Sequence, residues 1–78
     1  MNQELFARFA KTAAESLSKP VEEVKPEASF ADDLDADSLD LVQMVMDLEE
    51  EFDITVDEDE LEGITKIGQA YELVQSKL

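Results

Sequence analysis

With 78 residues, no cysteine and no histidine, this chain has room for one small domain and must hold it together without disulfides or thiolate metal sites. The same inventory removes Ser-His-Asp and cysteine-nucleophile chemistry and points away from an independent catalyst. A net charge of −15 sets the chain against nucleic acid and anionic membranes, whose recognition needs cationic groups.

The charge is segregated. Between Pro26 and Thr65 there are sixteen acidic residues and no lysine or arginine, while the six bases (Arg8, Lys11, Lys19, Lys25, Lys66 and Lys77) all lie outside that span. Such a field attracts partners that carry basic patches and speeds their encounter at low salt. No apolar run approaches the length of a membrane span or a signal-peptide core, so a soluble, cytoplasmic chain with no membrane insertion is expected. An apolar fraction of 44% is that of a folded domain, not a disordered acidic tail.

In chain order, Asn2 is a suitable cap for a first helix with Glu4 in its first turn, and Leu5, Phe6, Phe9, Ala10, Ala13 and Leu17 repeat at helical spacing. Pro20 ends that helix by Lys19. From Pro20 to Asp37 no period is sustained, which predicts a long loop anchored by Val24, Phe30 and Leu34. A second helix is expected from about Ser38 to Phe52. Ile54, Thr55 and Val56 are then too short a run for a sheet.

Asp57 followed by Glu60 has the pattern of a capping box and predicts a short third helix over Leu61, stopped near Gly63. Thr65 can cap a fourth helix with Ile67, Ala70, Tyr71, Val74 and Leu78 on one face. Gly68 inside it costs about 1 kcal/mol relative to alanine. The expected fold is all-α, a single domain over residues 1–78: a four-helix bundle of three longer helices and a short third one, with a long loop between the first and second.

The second helix carries two apolar stripes. Leu41, Met44, Val45, Leu48 and Phe52 form a core-facing series, whereas Leu39, Val42 and Met46 lie on the far side beside Ser38. Exposed apolar residues rimmed by charge mark a docking surface. A loop or the third helix covering the second stripe is the alternative that spacing leaves open.

Ser38 stands where loop becomes helix, inside Asp33-Leu34-Asp35-Ala36-Asp37-Ser38-Leu39-Asp40. A calcium loop counted from Asp33 fails, because Ser38 occupies the glycine position and Met44 the bidentate glutamate position, so no metal site is expected. Two readings of Ser38 stay open at this point: a helix cap shared with Asp37, or a hydroxyl presented for modification by another enzyme.

Asp37-Ser38-Leu39, set within Ser29 to Asp40 and continued by Val45-Met46-Asp47-Leu48-Glu49-Glu50-Glu51-Phe52, resembles the acyl carrier proteins, and is most similar to the freestanding carriers of type II bacterial fatty acid synthesis. The resemblance covers nearly the whole chain. It implies a non-enzymatic, monomeric carrier in which Ser38 bears 4′-phosphopantetheine, donated by coenzyme A through a phosphopantetheinyl transferase, with acyl groups attached as thioesters.

The resemblance further implies that Asp37, Leu39, Asp40, Val42, Met46, Glu49 and Glu50 face the transferase and the fatty acid synthesis enzymes, and that Leu48, Val56, Leu61 and Ile64 line an acyl pocket. Five positions depart from the family pattern, Gly63 and Lys66 among them as a different lead into the fourth helix. Asp35 stands where many relatives have glycine, Gln43 where an acidic residue is common, and Asp57 in place of a frequent proline. A carrier for a polyketide or aminoacyl pathway is the near alternative. The distant one is an acidic adaptor or weak cation binder without a prosthetic group.

Overall fold

A computed structural model describes residues 3–78; the expected cap at Asn2 lies outside the described residues. Three α-helices, α1 (Gln3–Leu17), α2 (Ser38–Phe52) and α3 (Ile67–Lys77), are joined by segments that carry two 3-10 turns, Val21–Glu23 and Glu58–Leu61. Among the described residues there is no strand, and the only sheet-like pairing is an antiparallel bridge between Ser29 and Lys66. The expected short third helix is thus a single 3-10 turn. Its four residues leave no length for α-helical hydrogen bonds to accumulate.

α1 is rich in alanine on its inner side, and Phe9, Ala10, Ala13 and Ala14 are buried. Small side chains there let α2 approach closely. Ser18 ends the helix in the left-handed region at φ 58°, and the Lys19 N–H reaches back to the Ala14 carbonyl at 3.0 Å. The helix therefore closes one turn of chain before Pro20. Phe6 and Phe9 both meet Tyr71 of α3 edge-on, at centroid distances of 5.2 and 5.5 Å, the offset geometry that the ring quadrupoles favour.

Arg8 ties α1 to the end of α2. Its guanidinium lies 4.7 Å from the Phe52 ring centroid, Nε pairs with the Glu51 carboxylate, and Nη2 donates to the Glu51 carbonyl at 2.7 Å.

The long loop is sewn to the start of α3. Pro26 O accepts the Gly68 N–H, Ala28 O the Ile67 N–H, and Thr65 O the Phe30 N–H, each at 2.9 Å. Two amides of the first turn of α3, which have no partner within the helix, are satisfied this way. Val24, Ala28, Phe30 and Leu34 are buried beneath the loop, as anchors should be.

The fourth expected helix begins at Ile67, and Thr65 does not cap it through its hydroxyl. Gln69 Oε1 instead accepts from the Thr65 N–H, the Thr65 hydroxyl and the Lys66 N–H, at 2.7, 3.1 and 2.9 Å. The longer side chain reaches back from inside the helix. Leu78 lies beyond the last helical residue and is exposed.

Candidate functional site

α2 starts with a reciprocal cap. Asp37 Oδ1 accepts the Asp40 N–H at 2.9 Å, and Asp40 Oδ2 accepts the Asp37 N–H at 3.1 Å. Both carboxylates also place negative charge at the positive end of the helix dipole. Because Asp37 does the capping, Ser38 is left as the first helical residue, exposed and with no hydrogen bond from its hydroxyl. Of the two readings open in the sequence, the cap belongs to Asp37.

The approach to Ser38 is built from the anchored loop. Ser29 O accepts from the N–H groups of Asp33 and Leu34, Asp33 Oδ2 accepts the Ser29 N–H at 2.7 Å, and the Ala36 N–H reaches Phe30 O at 2.7 Å. Asp35 bridges these turns at φ 51°, in the left-handed region that an aspartate tolerates and a glycine takes freely. The expected departure from the family's glycine therefore falls where backbone freedom matters.

Both stripes of α2 are found as spaced. Met44, Val45, Leu48 and Phe52 are buried and Leu41 is half-buried, while Leu39 is 77% and Met46 52% exposed, with Val42 half-buried between them. Among the described residues no loop covers the second stripe. Asp37, Asp40 and Glu50 are exposed around it. Glu49 is different: half-buried, its Oε2 accepts the Val56 N–H at 3.0 Å, and its carbonyl accepts from Asp53 and Ile54. It fixes the chain that leaves α2.

On the other flank of Ser38 an open cleft of about 520 Å³ is lined by Phe30, Ala36, Leu41, Ile64 and Lys66, among others. Of the four residues expected to line an acyl pocket, only Ile64 borders this cleft. Leu48 is in the core, and Val56 and Leu61 pack against it half-buried.

Beyond Ile64, Glu60 accepts the Asp57 N–H at 2.9 Å and pairs with the Lys77 ammonium at 2.7 Å. The hydrogen bond from Lys77, then that from Asp57, holds the Glu60 carboxyl below its ordinary value. Among the described residues no group of three or more acidic side chains is arranged to hold a metal ion.

A family profile described as "Phosphopantetheine attachment site" matches residues 7–74. The chain is also 44% identical over 77 residues to an acyl carrier protein of Picosynechococcus sp., covering 99% of this chain and 95% of that one. The chain belongs to the acyl carrier protein family. The prosthetic group of this family of carriers is 4′-phosphopantetheine.

The carrier's site suits such a group on its own chemistry. An exposed hydroxyl without a hydrogen bond stands at a helix N-terminus, which favours a phosphate, and a partly apolar cleft lies beside it. No helix among the carrier's described residues is long and apolar enough to cross a membrane.

Sequence reasoning missed three contributors to the carrier's architecture: Arg8, Gln69 and the inward bond of Glu49. Only Gln69 left a local trace, lying within one helical turn of Thr65.

Proposed function

We propose that Ser38 is the attachment point of 4′-phosphopantetheine and that the loaded chain, a monomer, carries acyl thioesters among separate enzymes of fatty acid synthesis without catalysing their reactions. The observation that carries this reading is the exposed, unbonded Ser38 hydroxyl beside a helix already capped by Asp37. In the loading step the Ser38 oxygen forms a bond to phosphorus of coenzyme A, the pyrophosphate P–O bond breaks, adenosine 3′,5′-bisphosphate leaves, and the hydroxyl proton passes to a base of the transferase. When bound, the group supplies the thiol that a cysteine-free chain lacks.

The docking surface in this reading is Leu39, Val42 and Met46 rimmed by Asp37, Asp40, Glu49 and Glu50. Acidic groups draw a basic partner quickly and release it under salt screening, while the small apolar stripe limits residence. A shuttle needs both properties. An acyl chain finds shelter first in the cleft at Ile64, and reaches Leu48, Val56 and Leu61 only by parting packed side chains.

The test is intact mass after incubation with coenzyme A and a phosphopantetheinyl transferase. The wild-type chain should gain one phosphopantetheinyl group and Ser38→Ala none; a wild type that gains nothing overturns the reading. Offering the loaded form to fatty acid, polyketide and aminoacyl enzymes then separates the pathways, and acceptance by the fatty acid enzymes is expected.

A further inference from the structure

We propose that the Lys66 ammonium is the counter-ion of the phosphodiester formed on Ser38, and that this pairing draws the arm along the cleft the two residues share. The inference rests on the attachment reading above and adds a residue to it. Ser38 and Lys66 line the same opening of about 520 Å³, and Lys66 is the single cationic residue on its wall.

The lysine is held in place at its backbone and left free at its tip. Its N–H is fixed by Gln69 Oε1 at 2.9 Å, its carbonyl accepts from Gln69 and Ala70, and it pairs with Ser29 across the bridge. The side chain is exposed and makes no ion pair. Acids are near enough to be candidates, since Asp32 and Asp37 line the same cleft and Glu27 and Glu72 border the adjoining one with Lys66. None of them takes the ammonium.

Charge supplies the reason for the pairing. A phosphodiester on Ser38 adds an anion to a segment where Asp35, Asp37 and Asp40 already stand and no base occurs between Pro26 and Thr65. The helix N-terminus offers only about half a positive charge, and the two capping carboxylates already occupy it. Lys66 offers a whole one.

The cleft lies on the Leu41 flank of Ser38, opposite Leu39 and Met46. Pairing with Lys66 thus directs the arm toward Phe30, Leu41 and Ile64 and away from the docking stripe. A basic partner or added salt competes for the phosphate and frees the arm.

The experiment compares unloaded and loaded chains, the latter verified by mass and with the terminal thiol alkylated so that it does not titrate. The Lys66 side-chain Cε resonance is compared between the two at neutral pH. The resonance should shift on loading at low salt, and the shift should shrink in 0.5 M salt as screening shortens the interaction.

Contacts between the pantetheine methyl groups and Ile64 or Leu41, seen as nuclear Overhauser effects, should survive in Lys66→Arg and disappear in Lys66→Gln. A Lys66 Cε resonance that is the same in unloaded and loaded chains overturns the proposal while leaving the attachment intact. A chain that never accepts the group overturns both.

Discussion

Gly68 touches the backbone of Pro26: its N–H donates to Pro26 O at 2.9 Å, and a β-carbon on Gly68 would lie 3.0 Å from that same oxygen. The glycine is the place where the long loop docks on the first turn of α3, and the loop in turn carries Phe30, Ala36 and the lead into Ser38. Helix propensity by itself predicts that Gly68→Ala gains about 1 kcal/mol. The contact predicts the opposite.

An oxygen held by its own hydrogen bond cannot retreat without loosening the loop. Gly68→Ala should therefore lose about 1–2 kcal/mol net, as overpacked sites do. For a domain of this size that lowers Tm by roughly 5–10 °C. A Tm at or above wild type would show that the loop yields without penalty.

Asp35 gives a prediction of opposite sign. At φ 51° a side chain crowds the following carbonyl, and glycine does not. Asp35→Gly should raise stability by about 0.5–1 kcal/mol, measured by denaturant unfolding. Asp35→Ala removes the same charge and keeps the β-carbon, so it separates conformational relief from relief of repulsion. Equal gains in both variants would assign the effect to charge.

Much of this architecture is legible because it is local. The two stripes of α2 follow from a 3.6-residue period, the Asp57 box from a three-residue spacing, and the anchors Val24, Phe30 and Leu34 from being apolar in a polar loop. What escapes is set by pairs distant in sequence. Arg8 on Glu51 and Phe52 joins positions more than forty residues apart, and Gly68 reads as a weak point in a helix until Pro26 is seen against it. Glu49 points to the same lesson at shorter range: an acid of the proposed docking row is also the acceptor for Val56.

Glu60 sets an acid limit on the segment that follows α2. Lys77 and the Asp57 N–H hold its carboxyl below the ordinary value of 4.5. A depressed folded value means the folded state resists protonation more than the unfolded chain does. The stabilisation is therefore whole above about pH 4.5 and is lost as pH falls through the folded value.

Thermal melts of wild type and Glu60→Gln should differ by a constant gap near neutral pH, and the gap should close on acidification below that point. A gap that persists undiminished to pH 3 would show that the ion pair contributes nothing pH-dependent.

The proposed docking row separates into residues that only face outward and residues that also hold the fold, Asp37 and Asp40 through the α2 cap and Glu49 through Val56. Met46 is 52% exposed and Glu50 is exposed, with no bond from either side chain to the rest of the domain. Met46→Asp and Glu50→Lys should slow loading by the transferase several-fold at low salt and leave Tm within about 0.5 kcal/mol equivalent, because a surface change away from buried contacts costs little. For Glu50→Lys the deficit should narrow at high salt, since attraction to a basic partner is screened there.

Glu49→Lys should also slow loading, and additionally lose about 1 kcal/mol of stability with the Val56 hydrogen bond. Glu49→Gln keeps an acceptor for Val56 and removes the charge, so it should restore Tm while loading stays slow. Recovery of both would mean that Glu49 acts on partners only through the chain it positions.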